Sequence, residues 1–168
     1  DDWTLSPTAL DMDGDGKDEI YSTGYGSKKL FVYADLDGDA LVMSKDEAAV
    51  VAEGPRHGAT GVNSVKDHGA GYFNMSPYGG IPTLFVGGNA GSELIKITLK
   101  DGASVLGGVS SWDKVVYDTG GDGGFVAKPI AGVDFDRDGK GEVVLGYQAN
   151  PDSGQYIQIM EYSESSVK

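Results

Sequence analysis

One acidic pattern occurs twice, and this repetition constrains the fold more than any other feature of the chain. The run D-M-D-G-D-G-K-D-E-I begins at Asp11, and D-F-D-R-D-G-K-G-E-V begins at Asp134. They agree at Asp11/Asp134, Asp13/Asp136, Asp15/Asp138, Gly16/Gly139, Lys17/Lys140 and Glu19/Glu142. The downstream residues stay in register: I-Y-S-T-G, a turn and K-L-F-V-Y-A in the first copy; V-V-L-G-Y, a turn and Q-Y-I-Q-I-M-E-Y in the last. A weaker third copy lies between, as T-L-F-V-G-G, N-A-G-S and E-L-I-K-I-T-L from Thr83 to Leu99. T-G-V-N at Thr60 parallels T-A-L-D at Thr8 and A-G-V-D at Ala131, which makes Thr60–Asn63 the expected first strand of the middle copy. A repeat this regular means a supersecondary unit used several times.

Each copy reads as strand A, an acidic loop, then strands B, C and D. Ile95, Ile97 and Leu99 alternate with Lys96, Thr98 and Lys100, the period-2 pattern of a half-buried strand. Gly fills 27 of 168 positions, well above the usual share of about 7%, as repeated tight turns require. The copies start at Asp11, Asn63 and Asp134, a mean spacing of about 60 residues that suits one four-stranded propeller blade with its connections. The expected architecture is all-β: about two and three-quarter four-stranded blades in a single partial β-propeller domain over residues 1–168. Blade 1 covers about residues 5–55, blade 2 about 56–121 and blade 3 about 122–168, with its fourth strand missing. One segment competes with this reading. Ser44 and Glu47 have capping-box spacing before an Ala-rich stretch, but the parallel between A-V-V-A-E-G at Ala49 and K-V-V-Y-D-T-G at Lys114 favours a strand.

The acidic loops carry the chemistry. Carboxylates at positions 1, 3 and 5 of a tight loop, a Gly at 6, a carbonyl at 7 and a carboxylate at 9 form an all-oxygen shell of the kind Ca²⁺ prefers. Without a cation these carboxylates repel one another. The first candidate site is Asp11, Asp13, Asp15, the Lys17 carbonyl and Glu19; the second is Asp134, Asp136, Asp138, the Lys140 carbonyl and Glu142. A helical EF-hand needs a glutamate at position 12, where these loops have Ser22 and Leu145. In the middle copy Asn63, Val65 and Asp67 fall at positions 1, 3 and 5 and His68 at 6, so no Ca²⁺ is expected there. D-L-D-G-D-A at Asp35 matches L-K-D-G-A at Leu99 and reads as a plain hairpin turn.

The loops and their strands resemble the FG-GAP/VCBS repeat family, the blades of integrin-α-type β-propellers, which carry a D-x-D-x-D-G-x-x-D/E calcium loop between strands A and B. The resemblance spans nearly the whole chain as three tandem copies; G-A-T-G at Gly58 and I-A-G-V at Ile130 only approximate the family's signature. It implies two structural Ca²⁺ ions, an extracellular, periplasmic or organelle-lumenal setting, and use as an adhesion, carbohydrate-binding or scaffold module. Closed propellers have four to eight blades. Further blades are therefore expected from the same parent chain or a partner subunit. The opening Asp1-Asp2-Trp3, without an initiator Met, fits a processed chain or a piece of a longer one.

Other functional classes find little support. Acidic residues number 26 against 13 Lys and Arg, a net charge of −13 that disfavours nucleic acid and anionic membrane surfaces. No apolar run approaches the roughly 18 residues of a membrane span. With no Cys there is no thiolate chemistry and no disulfide. No nucleophile elbow, H-E-x-x-H or P-loop occurs, and His57 and His68 sit in Gly-containing turns, so a catalytic role is not the reading. The segment from Lys66 to Pro82 is read as an inserted loop whose Tyr72, Phe73 and Tyr78 could stack on a sugar or meet a protein ligand. The expected function is a calcium-stabilised binding or scaffold module for a protein or glycan ligand. The alternative is a lectin, or a non-catalytic part of a polysaccharide-active enzyme.

Overall fold

A computed structural model describes residues 4–24, 27, 29–38, 44–53, 70–73, 82–87, 93–118, 125–133, 136–137, 142–148, 157–163 and 166–167. The protein is all-β, with three four-stranded antiparallel sheets whose strands follow one another in chain order. The first contains β1 (Thr4–Leu10), β2 (Glu19–Gly24), β3 (Lys29–Tyr33) and β4 (Ala48–Glu53). The second contains β5 (Ala70–Phe73), β6 (Thr83–Gly87), β7 (Glu93–Leu99) and β8 (Trp112–Asp118). The third contains β9 (Phe125–Val133), β10 (Glu142–Gln148), β11 (Ile157–Ser163) and the two-residue β12 (Ser166–Val167). Meanders of this kind need only short turns between neighbours, which the Gly-rich sequence supplies. None of the described helices is long and apolar enough to cross a membrane.

Three expectations are corrected. The third sheet is not short of a strand, because Ser166–Val167 pairs with Tyr162 and Ser163 of β11. The described middle sheet begins with Ala70–Phe73, paired with Thr83–Val86, in the place expected for Thr60–Asn63, which lies outside the described residues. Tyr72 and Phe73 are thus strand residues opposite Leu84 and Thr83, not members of an inserted loop; Tyr78 lies outside the described residues. Aromatic residues favour a pleated, partly buried position, and pairing with β6 decides their place here. The Ala-rich segment forms strand β4, as the internal parallel indicated, preceded by a single 3-10 turn over Lys45–Glu47.

The sheets stack in sequence order. β1 and β2 meet β5, and β5, β6 and β7 meet β9. In β3, Leu30 and Val32 are buried while Lys29, Phe31 and Tyr33 are half-buried, so one face of the first sheet is inward. That face joins Leu10, Tyr21 and Val51 to Leu84, Val86, Ile95, Ile97 and Trp112 of the second sheet in one hydrophobic core. Phe85 alternates to the opposite face of β6 and is also fully buried. The other face of the first sheet carries the Phe31–Tyr33 ring pair, 6.4 Å apart, and the Lys29–Glu53 ion pair at 2.7 Å.

Candidate metal centre

The loop between β1 and β2 is held by its own acidic side chains. The Asp11 carboxylate accepts from three backbone N–H groups: Gly14 at 2.8 Å and Asp15 at 3.1 Å on Oδ1, and Gly16 at 3.0 Å on Oδ2. Asp13 accepts from Asp15 N at 3.2 Å, and Asp15 from Lys17 N at 2.8 Å. Gly14 and Gly16 adopt φ of +78° and +89°, a left-handed region that a side chain enters only with strain. Backbone and carboxylates together fold the loop around one point.

Glu19 closes the shell from below. It opens β2 opposite Leu10 and is buried, at 4% exposure. Its Oε2 accepts from Met12 N at 2.9 Å and from the Tyr21 hydroxyl at 3.1 Å. These bonds leave Oε1 available to a ligand. Burial pushes the Glu19 carboxyl above the ordinary carboxylate range; the Met12 N–H opposes this shift, and the nearby Asp13 charge adds to it. Burial and the Glu19 charge likewise raise Tyr21, so its hydroxyl stays a donor. Oxygen atoms of Asp11, Asp13, Asp15 and Glu19 all lie within 4.8 Å of one another. All four carboxylates expected from the sequence are therefore brought together, and a set of only hard oxygen donors fits Ca²⁺ in ligand type. Lys17 stands in the same loop, with its N–H on Asp15.

The matching loop before β10 is described only in part. Asp136 is exposed and Glu142 is buried at 4% exposure, the same value as Glu19 at the equivalent place opposite Val133. Asp134, Asp138 and Lys140 lie outside the described residues. Arg137 has φ of +64° at the position where the first loop has Gly14 at +78°, so the two loops share a left-handed step despite different residues.

The plain hairpin turn expected at Asp35 is instead part of a longer connection between β3 and β4. Gly38 (φ +82°) does match Gly102 (φ +68°), as the Asp-Gly parallel required. However, the chain then returns through the 3-10 turn and places Glu47 within 4.8 Å of Asp35 and Asp37. Glu47 is buried and accepts from the backbone N–H groups of Ser44 and Leu36. These bonds, Ser44 foremost, hold its carboxyl below the ordinary range. The sequence signal was present in the Ser44/Glu47 capping spacing, which works here across one turn. Between the two acidic connections lies a cavity of about 520 Å³, lined by Asp13, Asp15, Glu19 and Asp35 together with Val105 and Leu106 of the connection between β7 and β8.

Comparison with protein-family models, curated proteins and solved structures finds no match to this chain, so its geometry alone carries the functional reading.

Proposed function

We propose that the protein is a calcium-stabilised segment of an FG-GAP/VCBS-type β-propeller that acts as a binding or scaffold module outside the cytoplasm, joined by further blades. The observation that carries this reading is the cluster of Asp11, Asp13, Asp15 and Glu19, with mutual oxygen distances within 4.8 Å and one member buried. Four ionised carboxylates so close repel by about 1–3 kcal/mol per pair at 4.8 Å, depending on the local dielectric, and a divalent cation removes that cost. The second ion is assigned to Asp134, Asp136, Asp138, the Lys140 carbonyl and Glu142 by the repeated motif. Three successive meanders stacked in chain order support the blade reading.

Titration calorimetry with Ca²⁺ tests the proposal. The expected result is two sites, with Asp13→Ala removing one and Asp136→Ala the other. No heat beyond dilution in the parent chain overturns it.

A further inference from the structure

Four described aspartates precede a glycine: Asp13-Gly14, Asp15-Gly16, Asp37-Gly38 and Asp101-Gly102. Such a pair carries its own reaction. The glycine nitrogen can attack the side-chain carboxyl carbon, Cγ, of the preceding aspartate, because glycine has no Cβ to shield that nitrogen. The attack needs an N–H that is not engaged elsewhere and a carboxyl group open to approach. The four pairs share one dipeptide sequence, so their hydrogen bonds must separate them.

In three of the pairs the glycine nitrogen is held. Gly14 N donates to Asp11 Oδ1 at 2.8 Å, Gly16 N to Asp11 Oδ2 at 3.0 Å and Gly38 N to Asp35 Oδ1 at 2.7 Å. The Asp13 and Asp15 carboxylates are occupied as well, by Asp15 N at 3.2 Å and Lys17 N at 2.8 Å. A charge-assisted bond that must break before attack slows the reaction by about tenfold to a hundredfold. Asp101-Gly102 differs at both reacting groups. Both residues are exposed, and among the described residues nothing accepts from Gly102 N or donates to the Asp101 carboxylate. The bonds of this turn lie on either side of the pair: Lys100 N to Ser111 O at 2.9 Å and Ala103 N to Lys100 O at 3.0 Å. Gly102 stands at φ +68°, so the turn favours glycine at that position.

We infer that Asp101-Gly102 is, of these four, the pair at which the folded chain isomerises to isoaspartate. Gly102 N bonds to Cγ of the protonated Asp101 carboxyl, the bond from Cγ to the hydroxyl oxygen breaks, and that hydroxyl leaves with the amide proton as water. The product is a five-membered succinimide. Water then opens the ring. Addition at Cγ restores aspartate, whereas addition at the Asp101 main-chain carbonyl carbon gives a β-linked residue of unchanged mass, with no redox partner. The β-link adds one methylene to the main chain in the connection between β7 and β8, which carries Val105, 5% exposed, into the core. The inference rests on hydrogen bonds in four turns and not on the cation, so calorimetry can fail without affecting it.

The test is ageing of the full chain in heavy-oxygen water, in mildly acid buffer with chelator, folded and in denaturant. Each ring opening leaves one heavy oxygen in the residue, and fragmentation of the peptide from Asp101 to Lys114 locates it by mass. In the folded chain the label is expected at Asp101 at least about tenfold faster than at Asp13, Asp15 or Asp37. In denaturant the four rates should draw together, because the bonds that rank them are gone. Asp101→Glu keeps the charge but would have to close a six-membered ring, so its peptide should stay unlabelled. Label entering the folded chain at Asp13, Asp15 or Asp37 as fast as at Asp101 overturns the inference. So does a folded chain unlabelled at Asp101 over a time that labels the unfolded one. The same ranking in denaturant would trace it to sequence and not to structure, and label persisting in Asp101→Glu would place the reaction elsewhere in the peptide; either result also overturns it.

Discussion

Glu19→Gln separates a cation site from an ordinary buried carboxylate, because its effect on stability should change sign with calcium. Without the ion, Glu19 is a charge buried at 4% exposure, beside Asp13 and Asp11, with its carboxyl pushed upward. Glutamine keeps an oxygen that can accept from Met12 N and the Tyr21 hydroxyl, and it removes the charge. The gain is about 1 kcal/mol, the low end for one repulsive pair at this spacing. With the ion, the parent chain is stabilised by about 2.7 kcal/mol when Ca²⁺ reaches 100 times its dissociation constant. For a chain of this size that corresponds to about 5–10 °C in Tm. The variant loses a charged ligand and with it most of that shift. Thermal unfolding followed by circular dichroism, in excess Ca²⁺ and in chelator, reads both arms. The expected result is a higher Tm than the parent in chelator and a lower one in calcium. A variant destabilised equally in both conditions would refute the reasoning, since Glu19 would then serve only packing and hydrogen bonding.

Other parts of the structure give two more expected outcomes. Glu47 has a carboxyl held below its ordinary value of 4.5, so its contribution is present above that value and is lost as pH falls through the lower folded-state value. Acid unfolding of Glu47→Gln should therefore show a shallower loss of stability below pH 4.5 than the parent, and identical slopes would contradict this. Arg137 occupies a left-handed backbone step at φ +64°, so Arg137→Gly should stabilise the chain by about 0.5–1 kcal/mol in chemical denaturation after the added freedom of the unfolded state is subtracted. A loss of stability would show that the Arg137 side chain, and not its backbone, matters.

The acidic loop was legible because its ligands are local in sequence. Spacing alone brings Asp11, Asp13, Asp15 and Glu19 together, and the positive φ of Gly16 comes with the same motif. The middle sheet was harder, because partners distant in sequence choose its strands. T-G-V-N looked like a first strand by analogy, yet Ala70–Phe73 is the segment that pairs with β6. A spacing rule would have found it: nine residues separate Leu10 from Glu19 and Val133 from Glu142, and ten separate Phe73 from Thr83. The return of Glu47 to Asp35 and Asp37 was missed for a different reason. The Asp-Gly pair specifies the left-handed step at Gly38, but a local motif says nothing about where the chain comes back.

The same registers show how the loop and the stack depend on each other. Tyr21 donates to the loop's buried glutamate, and its ring meets Trp112 of the second sheet edge-on, with centroids 6.0 Å apart. The equivalent residue in the second sheet is Phe85, preceded two positions earlier by Thr83 in place of an acid. Where no carboxylate needs anchoring, the ring remains and the hydroxyl is gone; both rings are fully buried. The ring thus goes with burial between sheets, and the hydroxyl goes with the acidic loop. In the third sheet the order is reversed: Glu142 is present, but the equivalent residue is Val144, which has no hydroxyl to offer. The first loop is thus fastened to the junction between sheets through the Tyr21 hydroxyl and ring. Filling the first loop with a cation should then stiffen the junction of sheets one and two, because the buried Glu19 of that loop and the Trp112 ring of the second sheet share Tyr21.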